Sequence, residues 1–104
     1  MVIRIKPPNF PESINAYYDQ QSISLDQKTF FSFDHIFDHS TTQEEIFRRL
    51  GVNIINNIVK GYNGCIFAYG QTGSGKTHTM TGTDGDEGLI QRCLKNLWSL
   101  VQKF

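Results

Sequence analysis

The sequence predicts an α/β protein with a partial central sheet flanked by helices. Three observations lead there: short β-favouring runs, two stretches with apolar residues at helical spacing, and a glycine-rich loop that joins an apolar run to a helix. With 104 residues, one domain at most is expected, spanning 1–104.

Val2 to Lys6 alternates apolar and polar residues before Pro7-Pro8, which cannot continue a ladder, so a first strand ends there. The mixed stretch from Ile14 to Leu25, with Asp19-Gln20-Gln21 inside it, reads as a hairpin region. Phe30 to Phe37 is dense in aromatic residues and reads as a second strand. At Thr41-Thr42-Gln43-Glu44 a threonine precedes a glutamate by three positions, a capping box that opens a helix. Phe47, Leu50, Ile54 and Ile58 then recur at helical spacing, reinforced by Ile46, Ile55 and Val59, and Gly61 is the expected stop.

Asn63-Gly64 makes a turn, and Cys65-Ile66-Phe67-Ala68-Tyr69 reads as a buried strand entering the glycine-rich loop. A helix should begin near Thr77 and break at a surface loop, Thr81 to Gly88. A last helix follows, with Ile90, Cys93, Leu94, Leu97, Leu100, Val101 and Phe104 on its apolar face and Asp86-Glu87 near its start.

Composition narrows the function. Ten basic and ten acidic residues balance, and neither sign forms a run, so free nucleic acid is not an expected ligand. No apolar stretch approaches the roughly 20 residues that span a bilayer, and the start lacks the order of a signal peptide. A soluble protein, not exported and without a membrane partner, is expected. Cys65 and Cys93 have no CxxC or Cys/His spacing and read as reduced, buried packing residues of an intracellular protein.

The chemistry lies in Gly70-Gln71-Thr72-Gly73-Ser74-Gly75-Lys76-Thr77, which fits GxxxxGK[ST]. Average residue usage produces that pattern by chance in on the order of a few windows per hundred thousand. Gly70, Gly73 and Gly75 can take positive φ and let backbone amides turn inward onto phosphate oxygens. Lys76 would place its ammonium on the β- and γ-phosphates, and the Thr77 hydroxyl would join the oxygen shell of Mg²⁺. A loop that merely turned the chain would need neither lysine nor threonine. The segment therefore predicts a P-loop NTPase fold.

The stretch Gly61-Tyr62-Asn63-Gly64-Cys65-Ile66-Phe67-Ala68-Tyr69-Gly70-Gln71-Thr72-Gly73-Ser74-Gly75-Lys76-Thr77-His78-Thr79-Met80 closely resembles the nucleotide-binding segment of kinesin motor domains. Arg4-Ile5-Lys6-Pro7 resembles that family's early Arg-x-Arg-Pro element. Phe33-Asp34-His35-Ile36-Phe37 and Thr42-Gln43-Glu44-Glu45-Ile46-Phe47 resemble its second strand and first helix. The resemblance implies a kinesin-like fold, ATP and Mg²⁺ as ligands, microtubules as partner, and a place in the cytoplasm on the cytoskeleton. By the same resemblance Arg4, Pro7 and His78 surround the adenine, and Lys6 stands where the family usually has arginine. On the residues alone, Arg4 and Lys6 could instead be the solvated side of an edge strand, and His78 a polar residue in a first helical turn.

Two departures bear on the reading. Gln91-Arg92 stands where the family commonly has proline before arginine, so the entry into the last helix is expected to differ. No Asn-x-x-Ser-Ser-Arg-Ser-His or Asp-x-x-Gly-Ser-Glu stretch occurs. The chain therefore reads as the N-terminal portion of a motor domain, ending before the family's switch and microtubule-binding regions, and is not expected to hydrolyse ATP alone. The alternative reading is a truncated, non-motile product that binds nucleotide at best, or interferes with other chains. Another P-loop ATPase or GTPase is a third, although no Asn-Lys-x-Asp guanine-reading element is present. By the same resemblance the strands beside Cys65 to Tyr69 come from the later portion of the motor domain, so that strand would have an unpaired edge, and marginal stability or aggregation is expected.

Overall fold

A computed structural model describes residues 1–6, 15–24 and 26–103. The expectations for Pro7-Pro8, Ile14, Leu25 and Phe104 fall outside these residues. The chain divides into two compact units, Met1–Thr41 and Thr42–Phe104.

In the first unit, β1 (Val2–Arg4) pairs in parallel with β5 (His35–Phe37), with Ile3 opposite Ile36. Bonds from Asp34 N to Met1 O and from Ile5 N to Phe37 O, each 2.9 Å, extend the ladder at both ends. A parallel pair needs a long connection, and here it contains a meander. Strands β2 (Asn15–Tyr17), β3 (Ser22–Ser24) and β4 (Phe30–Ser32) form an antiparallel sheet in that order. The expected hairpin is present. It turns through a short 3₁₀ stretch, Tyr18–Gln20, and Gln21 in the left-handed region at φ 52°.

The second expected strand, Phe30 to Phe37, is in fact two. Phe33 and Asp34 separate β4, with Phe30 and Phe31 about half exposed, from β5, where Ile36 and Phe37 are buried. The β3–β4 turn is held by side chains. Ser24 Oγ accepts from Gln27 N at 2.7 Å, and Asp26 Oδ1 accepts from Lys28 N and Thr29 N at 2.9 and 2.8 Å. The two amides hold the Asp26 carboxyl below its usual range, Thr29 contributing most.

The second unit opens with α1 (Gln43–Ile46). Its cap sits one residue later than the sequence suggests: Thr42 Oγ1 accepts from Glu45 N at 3.2 Å. Glu44 pairs with Arg48 at 2.6 Å, an i,i+4 contact on the solvent side. The helix then widens into a π segment, Phe47–Gly51, before α2 (Val52–Val59). A π turn holds more residues than an α turn, so the buried stripe changes phase. Ile46, Gly51 and Ile55 are buried, at spacings of five and four, while Phe47, Leu50, Ile54 and Ile58 are only partly covered. The expected face is therefore displaced onto two of the three residues read as its reinforcement, Ile46 and Ile55, while the third, Val59, is exposed. Gly51 fits this turn because a Cβ there would lie 2.6 Å from the Phe47 ring. At the far end Gly61, at φ 101°, closes the helix as expected: Gly61 N donates to Ile58 O and Tyr62 N to Asn57 O.

The run Cys65–Tyr69 contradicts the buried-strand expectation. It has no ladder partner among the described residues, and Phe67 and Tyr69 are 83% and 97% exposed. An apolar strand is buried only where neighbours supply both hydrogen bonds and cover, and within this chain's described residues none does. Cys65 is accordingly exposed, not a packing residue. Cys93 is half-buried, and burial pushes its thiol up.

The expected surface loop between the last two helices is a small hairpin, β6 (Gly82–Thr83) against β7 (Asp86–Glu87). It follows α3 (Lys76–Met80) and leads into α4 (Leu89–Val101). Asp86 and Glu87 are thus strand residues rather than part of the first helical turn. Gly88, the N-cap of α4, makes no side-chain cap bond, and Gln91 is the third helical residue. Its Oε1 is the one buried side-chain polar atom without a partner among the described residues. Leu89 is buried, whereas Ile90, Leu94 and Val101 of the expected apolar face, and Trp98 beside them, are exposed.

Candidate nucleotide site

The loop runs from Gly70 to Thr77 and passes directly into α3. Its glycines serve different needs. Gly73 and Gly75 take φ 83° and 103°, the left-handed region that costs other residues energy. Gly70 does not, contrary to expectation; a Cβ there would lie 2.5 Å from Ser74 Oγ, so a larger residue would make the serine hydroxyl move. The Ser74 N to Gln71 O bond, 3.1 Å, closes the turn between them, and Thr79 N donates to Gly75 O at 3.0 Å to begin the helix.

Thr72, Gly73, Gly75, Lys76 and Thr77 line a concavity of about 430 Å³. Gln71, Thr72, Gly73, Ser74 and Thr77 are exposed, and Lys76 is partly covered. Lys76 Nζ donates to Gly70 O at 2.5 Å, so the lysine folds back across its own loop. Thr77 lines the same concavity. That donor set, one ammonium and one hydroxyl beside backbone amides, can take a polyanion together with a hard cation that draws most of its oxygen ligands from phosphate and water.

His78 is the third residue of α3. Its carbonyl accepts from Nε2 of Gln43, a 4%-exposed glutamine on α1, at 2.5 Å. Its ring lies 3.9 Å from an Asp86 carboxylate oxygen on β7. Glu87, the next residue, pairs with Lys95 at 2.5 Å and accepts from Arg92 Nε through its carbonyl at 2.9 Å. Lys76, Thr77 and His78 are therefore brought together on one short helix.

Arg4 and Lys6 belong to the first unit. Arg4 is on β1, where Nη2 donates to Thr41 O at 3.4 Å, and Lys6 lies just beyond the strand, exposed. Pro7 lies outside the described residues. Gln43 and Asp86 escaped the sequence reading. Gln43 offered one signal, a polar residue whose phase matches Ile46, but nothing along the chain ties position 43 or 86 to position 78.

The fold and the loop define a phosphate-loop α/β protein. A family profile described as the kinesin motor domain matches residues 7–104. The chain is 46% identical over 92 residues to a kinesin heavy chain of Caenorhabditis elegans, an alignment covering 83% of this chain and 11% of that one. It is 39% identical over 101 residues to the kinesin-like protein KIP2 of Eremothecium gossypii, covering 97% and 15%. A solved structure described as kinesin 6 superposes with a TM-score of 0.85 at 38% identity, covering 93% of this chain and 27% of that chain. The chain belongs to the kinesin motor domain family, whose members are nucleotide-binding. It spans about a tenth to a seventh of the length of these two curated relatives. No helix among the described residues is long and apolar enough to cross a membrane.

Proposed function

We propose that this chain supplies the ATP-holding part of a kinesin-like microtubule motor. The observation that carries the reading is the loop from Gly70 to Thr77, with Gly73 and Gly75 in left-handed conformations around a concavity lined by Lys76 and Thr77. The backbone of Gln71, Thr72, Gly73, Ser74 and Gly75 would cradle the phosphates, and Lys76 would neutralise them. His78 would meet the adenine, with Arg4, Lys6 and Pro7 as further base-side groups. Mg²⁺, held in part by Thr77, would supply charge neutralisation between the β- and γ-phosphates. Microtubules as partner and the cytoskeleton as location follow from family membership, without nucleic acid or membrane as ligand.

Titration with a fluorescent ATP analogue, with and without Mg²⁺, tests this. The parent is expected to bind more tightly with the cation, and Thr77→Ala to lose about three- to tenfold of that gain, the worth of one hydroxyl ligand. Equal Mg²⁺ dependence in parent and variant would remove Thr77 from the site.

One observation favours a second reading, a chain that binds nucleotide and pairs with other chains. The Cys65–Tyr69 run is an exposed apolar segment with no ladder partner among the described residues, the composition that pairs with other strands. Substituting Phe67 and Tyr69 together with lysine is expected to shift the chain toward monomer in sedimentation velocity at micromolar concentration. An unchanged distribution would count against pairing through this run.

A further inference from the structure

Three carboxylates lie on the short hairpin that follows α3, and they differ in what they face. Asp84 is exposed at the turn. Glu87 is engaged by Lys95 Nζ at 2.5 Å. Asp86 faces the imidazole of His78 at 3.9 Å, both groups being about half exposed.

That placement is fixed by close backbone packing, not by long side chains. A Cβ on Gly88 would lie 2.6 Å from Met80 O, and one on Gly82 would lie 2.5 Å from Gly88 N. Gly82 also takes φ 75°, and Gly88 N donates to Thr81 O at 3.2 Å. The hairpin is thereby seated against the end of α3 with no room for a side chain between them. On the other side, the Gln43 amide holds the His78 carbonyl. The backbone of residue 78 is held from α1 while its ring is approached from β7.

We propose that Asp86 is a positioning residue for His78, its carboxylate biasing the imidazole toward the orientation that meets the purine of a bound nucleoside triphosphate. The inference rests on the nucleotide reading above, in which His78 is the base-side group. At 3.9 Å between half-exposed groups the contact biases a rotamer and does not clamp it, so its effect is no larger than that of an exposed polar pair. A carboxylate near a polyanion also repels it, but that repulsion acts alike on every triphosphate. Base discrimination isolates the positioning effect.

The experiment compares Mg²⁺-dependent binding of ATP with that of inorganic tripolyphosphate, which has no base. In Asp86→Asn the ratio of ATP affinity to tripolyphosphate affinity is expected to fall about two- to fivefold, and Asp86→Glu to restore part of it. In a His78→Gln background the Asp86→Asn substitution should leave the ratio unchanged, because the group it positions is gone. A ratio unmoved by Asp86→Asn, or a loss of equal size with His78 already replaced, overturns the proposal while leaving the phosphate cradle intact. A parent chain that fails to bind tripolyphosphate overturns the nucleotide reading and this inference with it.

Discussion

Replacing Lys76 with alanine is expected to weaken ATP binding about tenfold to a hundredfold, read by titration with a fluorescent ATP analogue. The size follows from the group removed. A hydrogen bond to a charged partner contributes about 1.5–3 kcal/mol, and each 1.4 kcal/mol is tenfold in affinity. The lower part of the range is favoured by a bond the lysine already makes, since Nζ donates to Gly70 O at 2.5 Å. Phosphate must displace that carbonyl, so binding exchanges one partner for a better one. The alanine variant also leaves Gly70 O without its donor, which loosens the loop ahead of any ligand. Lys76→Arg is a useful companion: it keeps the charge, but the planar fork does not occupy the place of a compact ammonium, and partial loss is expected. If Lys76→Ala binds as tightly as the parent, the loop does not cradle phosphate.

The second large effect concerns stability. Ile46 is 1% exposed, the most buried apolar side chain among the described residues. It closes α1 where the π segment begins, and its amide donates to Thr42 O at 3.1 Å. Ile46→Ala is expected to cost about 2–5 kcal/mol, the range for removing three buried carbons with incomplete collapse of the cavity. Ile46→Val should cost only about 0.5–1.5 kcal/mol. Urea denaturation followed by helical circular dichroism checks both, with ΔG taken from midpoint and slope. Domains of ordinary stability hold about 5–15 kcal/mol in total, so the alanine variant loses a large share. By contrast Leu50→Ala, one turn along on the face expected from spacing alone, should cost less because Leu50 is only partly covered. Equal costs at 46 and 50 would contradict the displaced stripe.

The difference between those two residues marks where the sequence could be read. Local chemistry was legible. The Gly61 stop, the Gly73 and Gly75 conformations and the start of α3 each depend on a few neighbouring residues. The run of α4 also appeared from its apolar spacing. What could not be read depends on partners far along the chain. Cys65–Tyr69 has the composition of a buried strand, yet composition cannot say whether neighbouring strands arrive. Phe30 to Phe37 is continuously β-favouring, but its first half pairs with β3 and its second with β1, so it breaks at Phe33-Asp34. The capping box was misplaced by one residue because Thr41 and Thr42 both satisfy the pattern. Thr41 instead donates its hydroxyl to Asp38 Oδ1, whose carboxyl is held low first by Ser40 and then by Thr41. Within the site the loop was visible because consecutive residues form it, whereas the Gln43 and Asp86 contacts to His78 join three separate elements.

The π segment at Phe47–Gly51 joins two helical stretches of different phase, Gln43–Ile46 and Val52–Val59, without a break. One additional residue is accommodated there without breaking the backbone, and every side chain after it is rotated relative to those before. Insertions and deletions should therefore be tolerated unequally along this stretch. Removing one residue within 47–51 would return the segment to ordinary α geometry and leave Ile46 and Ile55 eight apart, a spacing an α-helix keeps on one face, whereas one further residue there would turn Ile55 out of line. The same deletion in the exposed turn at Asp84-Gly85 would leave that alignment untouched. The bulge thus acts as a phase adjuster that sets which side of α2 is covered.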